Sequence, residues 1–316
     1  NLVLGRLAPE NFLGGQMTLD LKAAVAALER LAQQAEQAAA GDLTPAQTAA
    51  LGVIEVANAH MQRALRVISV ERGFDPRDFT LLAFGGAAGL HACALARALG
   101  MGRALAPRGA STLSALGMLS ADVVKDYVQT VMLPDGTTYM ELARQLEPLE
   151  QRARQELAAE SVPAENITLQ RELDVRYQGQ SYELTIALSV DYQAEFHRAH
   201  ATAYGHSDGR EPLEIVNVRL RAVGAVRPVT LPHAELGPAD ATPALMDFRS
   251  VVLSTAIVET PFYAGEALRP GQKILGPAVI TYSDTTVLLP IGDAARVDEW
   301  WNLVLAIAPS ERDGKE

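Results

Sequence analysis

Gly85, Gly86 and Gly89, followed by His91, form the stretch of this sequence whose residue types are best suited to chemistry. Glycine tolerates positive φ angles and lets a ligand approach the main chain closely. A glycine-rich turn between a strand and a helix presents free backbone N–H groups, which can bind an anion or the phosphates of a nucleotide. The stretch is neither a Walker lysine loop nor a G-x-G-x-x-G motif, so a tight turn that binds nothing is an equal alternative.

Four polar side chains are candidates for a role near this turn. His91 begins the helix after the glycines, where a neutral imidazole can donate to a phosphate or a substrate carbonyl, or bond to nearby backbone. Asn58 lies beside the apolar stripe of a predicted helix, so it either forms an internal hydrogen bond or faces a ligand. Asp122 and Asp126 are either a general base or metal ligands, or a solvated acidic edge. The sequence identifies no catalytic base, and His91 and Asp122 are the catalytic candidates.

One grouping of residues resembles a metal site in its spacing. His197 and His200 are three residues apart and can share a helix face, with Glu195, His206 and Asp208 nearby. A zinc site of this kind needs a third and a fourth ligand that are held rigidly, and no thiolate is available here. We therefore predict an exposed helix end and no metal site.

The elements that must position these residues are indicated by the period of the apolar residues. Helical spacing predicts amphipathic helices over 18–38, from Thr44-Pro45 to Gly73, and over 138–160. Short strands are predicted at 80–84 and 103–107, on either side of the helix that begins at His91. The segment 109–120 is either a close-packed helix or the lining of a cleft.

Beyond residue 160 the period changes from 3.6 to 2, which is typical of strands. Alternation around the turn Gln178-Gly179 predicts a hairpin, and a helix carries Phe196. Further strands are predicted at 215–223, 249–254, 256–260, 277–282, 286–289 and 303–307. A helical first domain, residues 1–130, is thus followed by a β-rich second domain, residues 131–316.

Composition restricts the classes of function. The 316 residues suffice for about two domains, and 48% hydrophobic content is typical of a globular protein. The formal net charge of −11 argues against a nucleic-acid partner, which needs a basic face. No apolar run approaches the ~20 residues that span a bilayer. Cys93 is the only cysteine; it is predicted to be a small buried hydrophobe, and a reducing, cytoplasmic location is expected. Because the sequence begins at Asn1 without a methionine, we expect a fragment or a processed product.

Several motifs resemble the hydantoinase A/5-oxoprolinase family, and they occur in order along nearly the whole chain. They are Leu4-Gly5-Arg6-Leu7, Phe12-Leu13-Gly14-Gly15, Glu71-Arg72-Gly73-Phe74-Asp75-Pro76-Arg77-Asp78-Phe79, Phe84-Gly85-Gly86-Ala87-Ala88-Gly89-Leu90-His91-Ala92, Ser114-Ala115-Leu116-Gly117-Met118-Leu119-Ser120-Ala121-Asp122, Asp174-Val175-Arg176-Tyr177-Gln178-Gly179-Gln180-Ser181-Tyr182-Glu183-Leu184, Glu214-Ile215-Val216-Asn217, Gly276-Pro277-Ala278-Val279-Ile280 and Asp284-Thr285-Thr286. So many ordered matches make chance an inadequate explanation.

The resemblance implies an α/β fold: half of an actin-like, sugar-kinase-like ATPase followed by an acetophenone-carboxylase-like α+β C-terminal domain. It also implies that ATP and Mg²⁺ serve the full-length protein, which opens a five-membered cyclic amide after its oxygen is activated by phosphorylation. Gly85, Gly86, Gly89 and Asn58 are the nucleotide-binding residues on this view. The expected partners are a hydantoinase B-type subunit, a second copy of the chain, or both.

The chain departs from the family in two respects. The family has Gly-Gly-Ala-Gly-Pro where this sequence has Gly85-Gly86-Ala87-Ala88-Gly89, and the family's N-terminal half, with its Asp-Gly-Gly-Thr turn, is missing. We therefore expect weak ATP binding and no turnover by this chain alone. The alternatives are a subunit of an acetone or acetophenone carboxylase, and a non-catalytic module for subunit assembly.

Overall fold

The computed structural model describes residues 1–36 and 38–309, which divide into two compact units. Unit 1 comprises residues 1–116 and 230–316, and unit 2 comprises residues 117–229. The α-helices are α1 (Leu21–Gln34), α2 (Pro45–Ile68), α3 (Ala92–Ala98), α4 (Leu113–Ser120), α5 (Tyr139–Ala159) and α6 (Tyr192–Tyr204). The strands are β1 (Leu81–Leu82), β2 (Arg103–Ala106), β3 (Val123–Pro134), β4 (Ile167–Tyr177), β5 (Leu184–Ala187), β6 (Leu213–Gly224), β7 (Leu245–Leu253), β8 (Ala256–Ala264), β9 (Lys273–Leu275), β10 (Ala278–Thr281), β11 (Thr286–Leu289), β12 (Ala294–Val297) and β13 (Leu303–Ala306).

The long helices begin where their capping residues require. Thr44 and Gln47 form a reciprocal capping box at the start of α2, and Thr138 and Glu141 do the same at α5. Each box satisfies backbone N–H groups that have no partner inside the helix. The helix predicted over 138–160 is confirmed, and the helix predicted from Thr44-Pro45 to Gly73 is confirmed as far as Ile68, where α2 ends. Helix α1 ends at Gln34, four residues before the end predicted; Gln37 lies outside the described residues.

Unit 1 contains two sheets, and the larger one carries the glycine-rich turn. Its strand order is β1-β2-β13-β12-β9, in which β1 and β2 are parallel and the other pairs are antiparallel. The predicted strand 80–84 is reduced to Leu81–Leu82, because the glycines that follow turn the chain away from β2. Helix α3 packs against both β1 and β2, burying Cys93 and Leu95 in the main core of the unit.

The smaller sheet of unit 1 has the order β11-β10-β8-β7. Strands β8 and β10 are parallel, while the β7–β8 and β10–β11 pairs are antiparallel. All four residues of β11 are buried, and the turn that precedes α3 lies against this strand. The two sheets of unit 1 therefore meet at the glycine-rich segment.

Unit 2 is a four-stranded antiparallel sheet of order β3-β6-β4-β5, with α5 and α6 packed on it. Leu142, Leu146 and Leu157 of α5 are fully buried in its core, as is Phe196 of α6. The predicted hairpin around Gln178-Gly179 is confirmed as the antiparallel pair β4–β5.

The compact units do not follow the predicted domains, because the chain returns to unit 1 after residue 229. Strand β13 pairs with β2, which joins residues 303–306 to residues 103–106 in one sheet. The division into one domain over residues 1–130 and a second over residues 131–316 stays a prediction. No helix among the described residues combines the length and apolar character needed to cross a bilayer.

Candidate functional site

The glycine-rich turn is held in place by backbone hydrogen bonds from the adjacent strand and loop. Ala83 N donates to Leu105 O at 2.8 Å, and Gly85 N donates to Ala110 O at 2.7 Å. Gly85 has a φ of +94°, a backbone conformation that residues with a side chain rarely adopt. The turn is therefore a fixed structure that requires glycine at this position.

A segment distant in sequence holds the other side of the turn. The Thr285 hydroxyl donates to the carbonyl oxygens of Gly85 and Gly86, each at 3.2 Å. A Cβ on Gly89 would lie 2.6 Å from Thr286 O and 2.8 Å from Val287 Cγ2. Gly89 is also buried, so the packing of the turn on β11 explains why this residue is glycine.

The exposed side of the turn opens onto a groove. A Cβ added to Gly85 would meet no atom within 4 Å, and one added to Gly86 would make an ordinary contact with Asp284 O at 3.4 Å. Gly86, Ala87 and Leu90 line a pocket of about 260 Å³ that Phe12 and Tyr282 also line. Ligand pockets have typical volumes of about 300–1,000 Å³, so this one suits part of a nucleotide.

Asn58 and His91 are brought together, as partners of each other. Asn58 Oδ1 lies 2.7 Å from His91 Nδ1, and because the amide oxygen accepts, Nδ1 carries the proton. Burial, reinforced by nearby positive charge that includes Arg6, lowers the pKa of His91. The neutral form of the imidazole is therefore favoured, and its Nε2 accepts no hydrogen bond from the described residues. The structure shows the internal hydrogen bond that we considered for Asn58; the nucleotide-binding role of this residue stays a prediction.

The other catalytic candidate, Asp122, belongs to unit 2. Its Oδ1 accepts the N–H of Val226 at 3.0 Å, and neighbouring Asp126 forms an ion pair with Arg221 at 2.7 Å. Both side chains are exposed. These contacts fit the solvated acidic edge that we considered, and a catalytic role for Asp122 stays a prediction.

Cys93 is buried in α3, as predicted, with its Sγ 3.5 Å from Leu288 O. Burial, together with the adjacent carboxylate of Asp293, raises the pKa of its thiol. Reactive cysteines need a stabilised thiolate and access to solvent. The thiol of Cys93 has neither.

The histidines of α6 use ring nitrogens for internal contacts. The Tyr177 hydroxyl lies 3.0 Å from His197 Nδ1, and His200 Nδ1 lies 2.7 Å from His206 O. His200 is buried against the rings of Tyr177 and Phe196. In residues 1–36 and 38–309, no three His, Cys, Asp or Glu side chains are grouped as metal ligands. The predicted exposed helix end is thus wrong for His200, whose ring fills a gap between aromatic side chains.

The segment Asp174–Leu184, one of the family-like motifs, contains a fully buried carboxylate, that of Asp174. Asp174 accepts hydrogen bonds from Thr185 at 2.7 Å, Asn217 at 2.7 Å and Arg219 at 2.6 Å. Burial alone would raise the pKa of Asp174, but these donors outweigh it and lower the pKa. The motif thereby joins strands β4, β5 and β6 through one ionised side chain.

Family models account for almost all of the chain. The hydantoinase/oxoprolinase model matches residues 1–127, and the model of the hydantoinase/oxoprolinase C-terminal domain matches residues 135–306. The chain belongs to the hydantoinase/oxoprolinase family. It covers the C-terminal part of that family, as the motifs in the sequence predicted.

Relatives within the hydantoinase/oxoprolinase family include proteins of named activity. The chain is 32% identical to caprolactamase subunit alpha of Pseudomonas jessenii, over 94% of this chain and 44% of that protein. It is 30% identical to 5-oxoprolinase 1 of Arabidopsis thaliana, over 98% of this chain and 26% of that protein. The nucleotide-free structure of acetone carboxylase superposes with a TM-score of 0.78 at 25% identity, over 97% of this chain and 46% of that one. The chain thus spans less than half the length of these relatives, and its mixed α/β architecture with several sheets is similar to the matched part of the acetone carboxylase structure.

Sequence reasoning missed the residues that complete the surroundings of the turn. Asp284, Thr285 and Thr286 are separated from Gly85 by about two hundred residues, and no periodicity connects them. The only available signal was their place in a family-like motif. Tyr282 was assigned to a strand, with no indication that its ring lines the pocket.

Proposed function

We propose that this chain is the C-terminal portion of an ATP-dependent cyclic amidase that opens a five-membered cyclic amide by phosphorylation and hydrolysis. In this proposal, residues 1–130 form part of an actin-like ATPase domain, and the glycine-rich turn provides the nucleoside side of its cleft. The observation that carries the proposal is the open face of Gly85 and Gly86 beside a pocket. Membership of the hydantoinase/oxoprolinase family supports it, as do relatives named caprolactamase and 5-oxoprolinase.

The residues of the chain have defined tasks in this proposal. Gly85 and Gly86 let the nucleotide approach the main chain, and Thr285 fixes their carbonyl oxygens on the opposite side. The neutral imidazole of His91 offers Nε2 as an acceptor near the turn. ATP, when bound, supplies the phosphoryl group that makes the amide oxygen a leaving group. Positioning and charge neutralisation dominate such transfers, so rigid support of the turn is what this chain contributes.

Further components belong to the full-length protein in this proposal. Mg²⁺ neutralises the phosphates there, and the first half of the family's sequence supplies the other side of the cleft. Caprolactamase subunit alpha and acetone carboxylase beta subunit are named as subunits, which supports assembly with a B-type subunit, with a second copy of the chain, or with both. A cytoplasmic location is part of the same proposal.

Two alternatives remain distinct from this function. The similarity to the solved acetone carboxylase favours a carboxylase subunit, which differs in substrate rather than in fold. A non-catalytic assembly module would instead use the β-rich residues 167–223 to dock a partner. The two enzymatic functions both require Gly86 for the nucleotide, whereas the assembly module does not.

The decisive experiment is Gly86→Val in the full-length protein, with ATP hydrolysis and cyclic-amide opening as readouts. The β-carbon of valine fits at 3.4 Å from Asp284 O, so the turn is retained, but the γ-methyl groups enter the groove. We expect activity to fall at least about a hundredfold, the effect of displacing a reacting group by about 1 Å. Gly102→Val is the matched control, because a Cβ on Gly102 meets no atom within 4 Å and Gly102 lies outside the turn.

The outcomes separate the alternatives. Activity that survives Gly86→Val while substitutions in 167–223 change complex formation would support the assembly module and refute the nucleotide role. Loss of ATP-dependent acetone carboxylation, rather than of amide opening, would identify the carboxylase subunit. For the chain alone we expect weak ATP binding, and calorimetry that gave a micromolar dissociation constant would contradict the split cleft.

A further inference from the structure

A second pocket of unit 1 lies next to the groove beside the glycines, and Tyr282, Ser283 and Asp284 line both. Its volume is about 420 Å³, enough for a small organic molecule. Charged and aromatic side chains dominate its wall: Arg108, Arg269, Glu266, Asp284, Tyr282 and Trp301.

The two arginines of this pocket lack carboxylate partners among residues 1–36 and 38–309. The guanidinium of Arg108 stacks on the Trp301 ring, 5.1 Å from its centroid. Arg269 Nη1 donates to the main-chain oxygens of Glu266 and Leu268, each at 3.1 Å. These contacts orient the guanidinium groups and leave their charge uncompensated. A guanidinium group is the side chain best suited to bind a carboxylate through paired hydrogen bonds.

Each of the two carboxylates of the pocket accepts hydrogen bonds from the described residues through only one of its oxygen atoms. Glu266 Oε1 accepts from Ser283 N at 2.6 Å, and Asp284 Oδ2 accepts from Ser111 Oγ at 2.7 Å. Their second oxygen atoms accept no hydrogen bond from the described residues. The arginines and the acids therefore coexist in one pocket without neutralising each other, which leaves both signs of charge for a ligand.

An aromatic ring supplies an apolar surface in the same pocket. The Tyr282 ring lies directly on Gly265, where a Cβ would stand 2.4 Å from Tyr282 Cε1. Glycine at position 265 is thus needed to seat the ring in the pocket. Such a surface is complementary to a short chain of methylene groups.

We propose that this pocket binds a small zwitterion, an amino acid whose carboxylate and ammonium groups are joined by an aliphatic chain. The carboxylate pairs with Arg108 and Arg269, and the ammonium pairs with Glu266 and Asp284. This proposal rests on the proposed function, because the site would receive the product of ring opening. When the C–N bond of a lactam is hydrolysed, the oxygen of the water becomes part of the carboxylic acid and a hydrogen of the water completes the amine. At neutral pH that product carries both charges, whereas the lactam carries neither and an opened hydantoin lacks the ammonium group.

The test uses the fluorescence of Trp301 in this chain carrying Trp300→Phe, because Trp300 and Trp301 are the only tryptophans. The probes are 4-aminobutanoate, butanoate, butylamine and the five-membered lactam 2-pyrrolidone. We expect a saturable change with 4-aminobutanoate, weaker binding of the two singly charged probes, and no change with 2-pyrrolidone. Arg269→Gln should weaken 4-aminobutanoate binding at least about tenfold, as expected for one charged hydrogen bond.

Two further variants separate the charges from the fold. Glu266→Gln keeps an acceptor for Ser283 N, so it should weaken the binding of 4-aminobutanoate and leave the binding of butanoate unchanged. Arg103→Gln is the matched control, since Arg103 is exposed and lies outside the pocket, and it should change nothing. The proposal is overturned if 4-aminobutanoate does not saturate, if butanoate binds as tightly, or if Arg269→Gln has no effect. Because no ATP is present, failure here leaves the Gly86→Val result in the full-length protein unaffected, and the reverse also holds.

Discussion

Replacement of Gly89 by alanine tests whether this glycine serves packing or ligand binding. The new Cβ would lie 2.6 Å from the main-chain oxygen of Thr286 and 2.8 Å from Val287 Cγ2. Both atoms belong to β11, whose residues are all buried. A buried strand can shift only slightly, so the added Cβ must force the turn and the strand apart by several tenths of an ångström.

The magnitude follows from two opposing contributions. Overpacking of a well-filled core costs about 1–3 kcal/mol. Alanine returns about 0.4–1 kcal/mol by restricting the unfolded chain. The net destabilisation of Gly89→Ala is therefore about 1–2 kcal/mol, which at a urea dependence of about 2 kcal/mol per molar lowers the midpoint of unfolding by about 0.5–1 M.

Urea unfolding followed by tryptophan fluorescence is the appropriate assay, since Trp300 and Trp301 both belong to unit 1. Gly102→Ala is the control: a Cβ at this residue meets no atom within 4 Å and its φ is not in the left-handed region, so its midpoint should stay or rise. A midpoint for Gly89→Ala equal to or above that of the unsubstituted chain would refute the packing explanation and return Gly89 to the candidates for ligand contact.

Two further predictions concern buried groups. Asp174→Asn should destabilise unit 2 by about 1.5–3 kcal/mol at pH 7, the value of hydrogen bonds to a charged group, measured by urea unfolding with circular dichroism. Since the folded-state pKa of Asp174 lies below its ordinary value, this contribution is complete above that ordinary value and is lost as the pH falls through the lowered pKa; a difference between the two proteins that is independent of pH would contradict it. The Cys93 thiol, buried and with a raised pKa, should be unreactive toward a disulfide reagent in the folded chain and reactive in urea, and rapid labelling of the folded chain would show that α3 opens.

Local patterns were sufficient to predict most helices and the hairpin of unit 2. The capping pairs Thr44–Gln47 and Thr138–Glu141 act within one helical turn, so the sequence contains the whole interaction. The β4–β5 hairpin is similarly local, because alternation on both sides of Gln178-Gly179 determines its register.

Interactions between distant segments could not be predicted in this way. Strands β9 and β12 were missed because three or four residues carry too little periodicity, and their place in the sheet depends on β13. The helix predicted to reach Gly73 ends instead at Ile68, whose side chain is 59% exposed. The family-like motifs indicated the fold where the periodicity of apolar residues could not.

The contacts of the candidate site also fall into local ones, which the sequence predicts, and distant ones, which it does not. The glycines and His91 are adjacent in sequence, so their common turn was predictable. The bond between Asn58 and His91 was one of two alternatives, and only the meeting of α2 with α3 decides between them. The contact of Thr285 with Gly85 depends on the second sheet of unit 1, which no local pattern specifies.

The pairing of β2 with β13 imposes an order on the biogenesis of this protein. A ribosome releases residues 117–229 well before residues 303–306, so unit 2 has all of its strands while the principal sheet of unit 1 still ends at β2. During the same interval the glycine-rich turn lacks the hydrogen bond from the Thr285 hydroxyl, because that residue has not yet been synthesised. Nascent chains arrested before residue 285 should therefore contain a protease-resistant unit 2 attached to a unit 1 that proteases can still cleave.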